Sequence, residues 1–558
     1  MLFNTAAFAI FLPLVFGMYW LLRRNFRAQN LLLLVASLFF YGWWDIRFLY
    51  LFILTTGVDF YCAAMIDRGR MNPRQRAIVS SVLVGSALLC LVIPWKAIHF
   101  YHTAAHLHSY FNPAQARVLT HQGSLVLLAT LAVVIAVNAL NPWLTSFDEI
   151  RRRKIFMTAS AVSNLCVLGF FKYYDFFADS FASAVQHATG MHVSSFTLNI
   201  LLPAGISFYT FQSLAYTIEV YRRKVPAQEH YLTLASYLSF FPLLVAGPIE
   251  RPTHLLPQFL KPRAVDSAQF RQGCWLIVWG LFKKMVVADN MARVVGDVFG
   301  PYDHILSGHV AIPHDGLRLL LGVYAFALQI YGDFSGYTDI ARGVSKLFGF
   351  DVMLNFNLPY AALSPSDFWR RWHISLSTWL RDYLYIPLGG NRGGLFFTYR
   401  NLFLTMLLGG LWHGANWTFV LWGAYHGAIL IVYRLLNLRP EDKQYPRWAN
   451  TLMWLIMLHL TMLGWLFFRA KNLTTVSVFL QGILLHPHWS PEATAVLKDI
   501  AFFGWFLIAF QVVQYTMKNL DPMSRWHWFV RLNVWVFVLM SLFALASTEG
   551  KEFIYFAF

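Results

Sequence analysis

The side chain with the most chemistry in the least hospitable place is His413. It stands inside the apolar run 402–433, in the local sequence Gly409-Gly410-Leu411-Trp412-His413-Gly414-Ala415-Asn416-Trp417. An ionisable group within such a run is costly, and it marks either a functional site or a hydrogen bond to a neighbouring helix. The flanking glycines favour the first reading, because they permit close backbone approach and a break that exposes the ring to an interior passage. An imidazole near its reference pKa of ~6.5 is suited to taking a proton from a hydroxyl at neutral pH.

His373 lies in Asp367-Phe368-Trp369-Arg370-Arg371-Trp372-His373-Ile374-Ser375. Two readings stand side by side. In one, an interfacial helix turns its arginines to lipid phosphate, with Trp369, Trp372, Trp379 and Tyr383 as headgroup-level anchors along Phe368 to Tyr385. In the other, this is the wall of a pocket for a phosphate-bearing donor. Its contacts would come from Arg370, Arg371, Arg381 and Arg392, since a guanidinium donates two parallel hydrogen bonds to phosphate. Trp372 and Asn416 complete the donor- and substrate-binding candidates on this side.

A third cluster, Tyr331-Gly332-Asp333-Phe334-Ser335-Gly336-Tyr337-Thr338-Asp339, ends another apolar run. Asp333 there either orders a substrate cavity or caps a helix. No third carboxylate or histidine has metal-ligand spacing, so no metal is expected. His426 and His459 read as satisfied core histidines. Cys62, Cys90, Cys166 and Cys274 have no CxxC spacing and imply no disulfide framework. No GxSxG, P-loop, GxGxxG or HExxH occurs, which removes serine-hydrolase, nucleotide-hydrolysing, dinucleotide-binding and zinc-protease chemistry.

The elements that must hold these groups are membrane helices. Hydrophobic residues make up 58% of the chain and charged ones only 13%, against ~25% in soluble proteins, and the mean hydropathy is +0.50. Surplus apolar surface on this scale needs lipid. Apolar stretches near the ~20-residue bilayer length fall at 5–22, 30–44, 48–66, 77–95, 122–141, 155–178, 231–247, 268–288, 316–332, 402–433, 450–468, 500–517 and 527–547. The segment 197–221 is broken by Pro203 and Gly205 and reads as a re-entrant or kinked helix lining a cavity. The first apolar stretch lacks a basic leader and a small-residue cleavage site, so it reads as a span and not a signal peptide.

The net charge of +17 is scattered between apolar segments, which points to loop bias and not to nucleic acid as a partner. Basic loops at Arg23 to Arg27, Arg68 to Arg76 and Arg151 to Lys154 alternate with a His-rich loop, 96–121, nearly free of Lys and Arg. This alternation puts the N-terminus outside and the basic loops in the cytoplasm. No internal repeat or soluble domain is visible, so 1–558 reads as one transmembrane domain.

The runs DFWRRWHISLSTWLRDYLYIPLGGNRGG and YRNLFLTMLLGGLWHGANWTFVLWGAYHG closely resemble the bacterial membrane-bound O-acyltransferase (MBOAT) family. LLPAGISFYTFQSLAYTIEVYRR, FFPLLVAGPIERP and DFSGYTDIARG support the resemblance, which is continuous over about 195–435. It implies an all-α polytopic protein, a ring of about 11–13 tilted spans with re-entrant and interfacial helices around a central funnel. It also implies a bacterial inner membrane, a donor thioester such as acetyl-CoA with no bound cofactor, and a polysaccharide acceptor of the exported, alginate type. Peptidoglycan, cellulose or another envelope glycan is the alternative acceptor. His413 matches the family's catalytic histidine and His373 its second motif histidine. A periplasmic SGNH-type transferase is the expected partner. The tail 540–558 ends Lys551-Glu552-Phe553-Ile554-Tyr555-Phe556-Ala557-Phe558 and resembles an aromatic terminal motif of envelope acylation systems, so Tyr555 is either a transient acyl carrier or an aromatic-belt anchor. The rival class is a lipid or polysaccharide transporter or flippase with a His/Asp proton relay, which would show paired broken helices in two related halves.

Overall fold

The computed structural model describes residues 1–558 apart from 96–97, 104–105, 192–193, 195, 199, 246, 304–312, 439, 441–444, 548–552 and 555–558; at 98–103, 106–111 and 114 it describes the backbone alone. Four helices open the chain: α1 (Ala6–Leu21), α2 (Phe26–Gly42), α3 (Arg47–Asp67) and α4 (Pro73–Ala87). A two-stranded antiparallel hairpin, β1 (Ile98–Thr103) and β2 (His106–Phe111), follows, with Ile98 opposite Phe111. It occupies the loop expected to be His-rich and outside, and it is the only sheet among the described residues.

Two long helices come next, α5 (Pro113–Thr145) and α6 (Glu149–Thr189), the second started by Asp148, whose side chain accepts the Arg151 N–H. After a non-helical stretch come α7 (Ile206–Tyr221) and three short helices, α8 (Tyr231–Leu238), α9 (Phe241–Leu244) and α10 (Pro252–Leu255). The centre is built by α11 (Ser267–Leu281), α12 (Asp289–Phe299) and α13 (Gly316–Leu347). Short α14 (Pro365–Arg371) and α15 (Ile374–Leu380) precede α16 (Leu395–His413), α17 (Trp417–Leu435) and α18 (Arg447–Arg469). The chain closes with α19 (Leu473–Leu485), α20 (Pro491–Met517) and α21 (Trp528–Leu545).

Among the described residues nine helices are long and apolar enough to cross a bilayer, and α1, α2 and α19 are shorter apolar helices. Burial separates their roles. Along α13 most side chains are buried, and α11, α12, α18, α19 and α20 pack around it. By contrast α5 and α21 turn Leu128, Ile135, Met540 and Phe543 outward, the surface that lipid must cover. The chain is an all-α, multi-pass membrane protein.

The basic segments gather at one end of the bundle. Arg68 donates to the carbonyls of Ala227 and Gln228, Arg152 to Met65, Arg153 to Ile66 and Tyr221, and Arg263 to Phe26. Inside the bundle, polar groups find each other, because no water is available to satisfy them. Asp59 of α3 accepts from Ser160 at 2.6 Å, from Asn164 at 3.0 and 3.1 Å, and from Ser213, which ties α3, α6 and α7 together.

Three expectations need correction. The stretch 231–247 is no span: α8 and α9 are too short to cross, and Leu234, Tyr237 and Phe241 are fully buried in protein. The apolar run 402–433 is two helices, α16 and α17, folded back on each other at 414–416. And the aromatic anchors expected along Phe368 to Tyr385 turn into the protein instead. Trp372 and Trp379 are buried, the latter stacked on Phe211 at 3.8 Å with its Nε1–H donated to the Phe211 carbonyl, while the Tyr383 hydroxyl donates to Glu219 at 2.8 Å. An aromatic-rich sequence suits either a headgroup belt or a protein interior; the packing partners decided.

Candidate active site

The site is assembled where α16 ends. Its last residue is His413, followed by extended Gly414 and by Asn416, whose side chain accepts the Thr418 N–H and so starts α17. The two helices meet almost backbone to backbone. A Cβ on Gly410 would stand 2.3 Å from the Phe419 carbonyl oxygen, and one on Gly423 would stand 2.5 Å from that of Met406. This close crossing fixes the height of His413, three residues beyond Gly410.

The His413 ring is 3% exposed and is packed by Trp422 at 4.9 Å and Phe468 at 5.3 Å, edge to face. The His373 ring lies 6.4 Å away, so the structure brings together two histidines that are 40 positions apart. His373 sits at φ 44°, an uncommon conformation for a non-glycine residue, between α14 and α15. Asn355 orients it. The Asn355 Oδ1 lies 3.2 Å from His373 Nδ1 and also accepts the Ser375 N–H at 3.2 Å. Because that atom is an acceptor, Nδ1 carries the proton and Nε2 keeps its lone pair.

Two cavities approach from opposite ends. A narrow one of about 50 Å³, away from the basic loops, is lined by Trp44, Lys172, Pro203, Ser207, Trp412 and His413. It has room for a few waters or the tip of one side chain, and a sugar ring does not fit. The non-helical segment around Pro203 forms its wall, with Gly205 in the left-handed region at φ 73° where a Cβ would meet the Leu244 oxygen at 2.4 Å. This is the cavity-lining break expected at 197–221.

The second cavity, of about 500 Å³, opens at the other end of α16 and is lined by Ser364, Trp369, Arg370, Arg381, Arg434 and Met406 among others. That volume suits an organic ligand. Met406 and His413 are seven residues apart on one helix, which is about 10 Å.

The remaining candidates are dispersed. Arg371 is held by Asp367 at 2.8 Å and by the Asn357 carbonyl, Arg392 is exposed on the loop before α16, and Trp372 is a core residue against Phe356 and Trp465. Asn416 donates to the Lys471 carbonyl. Asp333 is neither exposed to a substrate nor a helix cap. Buried within α13, it pairs with Lys284 at 2.7 Å and accepts the Ile554 N–H at 2.7 Å, while Lys284 also pairs with Asp289 at 2.8 Å. This holds Phe553 and Ile554 inside the protein: Phe553 packs on Tyr337 at 4.5 Å and on Phe334 at 5.9 Å, and Phe334 touches His373 at 4.7 Å. Tyr555 itself lies outside the described residues.

Neither Lys172 nor Arg434 was singled out from the sequence. Lys172 was detectable, because it is a lone ammonium in the apolar stretch 155–178, as costly there as His413 is in its own run. His426 is buried against Trp422 and Phe368, and its Nδ1 has no hydrogen-bond partner among the described residues, so it is not the satisfied core histidine expected. His459 has both nitrogens engaged, by Tyr324 and the Leu455 carbonyl, but it lies on the surface of α18. No group of three metal-ligating side chains occurs among the described residues. At the basic end, Asp351 and Glu250 flank the half-exposed His254 and push its pKa up to about 10, while His254 in turn holds Asp351 below the usual carboxylate range.

Comparison with known proteins follows the same geography. Residues 222–463 match the model of the membrane-bound O-acyltransferase family. The chain is 38% identical over 475 residues to the probable alginate O-acetylase AlgI of Azotobacter vinelandii, covering 85% of this chain and 76% of the relative. It is 38% identical to the protein of the same name from Pseudomonas aeruginosa, covering 85% and 73%. It is 37% identical over 380 residues to the peptidoglycan O-acetyltransferase of Helicobacter pylori, covering 62% and 69%.

Proposed function

The chain belongs to the membrane-bound O-acyltransferase family and is an acyltransferase, and from that premise we propose that it passes an acetyl group from a thioester to a hydroxyl at His413, for O-acetylation of an exported polysaccharide. The observation that supports this most directly is that the buried His413 ring lines a cavity reaching one face, while a cavity with three arginines lies about 10 Å down the same helix.

His413 accepts the proton of the acceptor hydroxyl as its oxygen attacks the thioester carbonyl. The C–O bond forms, the C–S bond breaks, and the imidazolium returns the proton to the departing thiolate. General-base assistance of this kind is worth ~10²–10⁴-fold. His373, with its Nε2 lone pair, stands beside this centre as the second motif histidine. Arg370, Arg381 and Arg434 suit the phosphates of acetyl-CoA or a similar donor. Arg371, tied to Asp367, no longer counts among the donor contacts.

The outer cavity is too narrow for a sugar ring, which favours a relay over direct transfer to the glycan. The C-terminal segment is anchored two ring contacts from His373, with Ile554 on Asp333, so Tyr555 is the residue we assign as acyl carrier. A periplasmic SGNH-type transferase would then move the group to the polymer. The orientation this requires puts the N-terminus in the periplasm, the basic loops in the cytoplasm and the protein in the inner membrane. Likeness to the alginate O-acetylases over 85% of the chain favours an alginate-type polymer, with peptidoglycan as the alternative. Family membership displaces the transporter reading.

The test is His413→Ala in purified protein given labelled acetyl thioester. Thiol release and transfer of the labelled acetyl group are expected to fall at least 10²-fold with unchanged protein level. Acetylation at the wild-type rate would overturn the assignment.

A further inference from the structure

We propose that Lys172 is the positioning residue of His413, its ammonium pinning the end of α16 to α6 and α7 so that the imidazole stands at a fixed point beside the outer cavity. This inference rests on the reading of His413 as the base.

A helix leaves its last four carbonyls without intrahelical partners. Water or a polar cap normally takes them, and α16 ends within the membrane-embedded bundle, where water is scarce. Two adjacent residues of α6 supply the donors. Lys172 Nζ donates to the Trp412 carbonyl at 2.7 Å and to the His413 carbonyl at 2.9 Å, and the Tyr173 hydroxyl donates to the Leu411 carbonyl at 3.0 Å. The third ammonium hydrogen reaches Ser207 Oγ, on the first turn of α7, at 3.3 Å. All three donors of the ammonium are therefore spent at one point, joining three helices there.

The choice of a charge is informative. A serine or asparagine could cap one or two carbonyls without bringing an ion into an apolar environment, and burying a cation is costly unless it is paired. Lys172 has no carboxylate partner among the described residues; only carbonyls, a hydroxyl and the Trp412 ring at 5.8 Å receive it. What offsets the cost is the helix end itself, where aligned carbonyl dipoles concentrate negative potential. The ammonium thereby binds the backbone of His413 itself, and lines the same cavity as its ring.

The test compares Lys172→Arg, Lys172→Gln and Lys172→Met as full-length proteins, with kcat and KM for the acetyl thioester and amide hydrogen exchange over 409–416. Lys172→Gln is expected to lower kcat about 10–100-fold with thioester KM unchanged, because a shift of about 1 Å in a reacting group costs on that order. Lys172→Arg, which keeps charge and several donors, is expected to recover most of the rate. Exchange at 411–416 is expected to quicken in the glutamine and methionine variants. Wild-type kcat in Lys172→Gln, or a loss confined to KM, would overturn the proposal, and so would unchanged exchange in both neutral variants. The exchange readout bears on the anchoring alone, whereas His413→Ala bears on the identity of the base, so the two readings fail separately.

Discussion

A single methyl group on Gly410 tests whether His413 is held to ångström tolerance. The substitution Gly410→Ala would bring Cβ to 2.3 Å from the Phe419 carbonyl oxygen and 2.9 Å from the Gly423 Cα. Carbon and carbonyl oxygen in contact prefer about 3.3 Å, so α16 and α17 must part by about 1 Å. Both obstacles are backbone, so no side chain can swing away. His413 is three residues along the same helix, about 4.5 Å, and moves with it. The overpacking should cost about 1–3 kcal/mol of stability, and the displaced base about 10²-fold in kcat. The assay is labelled acetyl transfer by purified protein, run beside a thermal melt. Gly169→Ala in α6 is the control, since nothing lies within 4 Å of its Cβ, and a gain of about 0.5–1 kcal/mol is expected there. A folded Gly410→Ala protein with kcat within two-fold of wild type would refute the claim that this crossing sets the catalytic geometry.

Three further outcomes are expected. Arg370→Gln and Arg434→Gln should each raise thioester KM by about tenfold with kcat little changed, the worth of one charge-assisted hydrogen bond, and unchanged KM in both would remove the donor from that cavity. Ile554→Pro removes the N–H that Asp333 accepts together with the isoleucine side chain, and should lower labelled acetyl transfer by about tenfold or more, whereas Tyr555→Phe should abolish it. The raised pKa of His254 means that its charged contacts with Asp351 and Glu250 stabilise fully below its unfolded value of ~6.5 and are lost as pH rises through about 10. Wild-type melting temperature should therefore fall relative to His254→Gln between pH 7 and 10.5, by a small amount because the ring is half exposed, on the order of 1 kcal/mol or less.

How much was legible differs from one residue to the next. His413 and His373 were marked by their oddity, each an imidazole among apolar and aromatic neighbours. The glycines flanking His413 and the break at Pro203–Gly205 were visible because glycine and proline change backbone options whatever surrounds them, although the run 402–433 reads as one stretch. Lys172 was equally odd and equally visible, but nothing local tied it to a histidine 241 positions later. Asp333 drew notice for the right reason, a carboxylate in an apolar segment, yet its partners come from α11–α12 and from the last residues of the chain. The stretch 231–247 was apolar enough to span a membrane and does not, because hydropathy reports only that a segment avoids water.

Composition and the length of apolar runs alone determined that this chain must live in lipid, that it is helical, and which isolated polar groups are too costly to be accidental. These follow from transfer free energies and backbone chemistry, which are properties of each segment by itself. Only the tertiary structure decided which of those groups meet: that two histidines share one site, that a lysine on α6 holds the end of α16, and that Phe553 and Ile554 lie inside beside them. Such pairings depend on helix crossings, and the crossings are set by backbone contacts as close as that of Gly410 with α17, which no single segment contains.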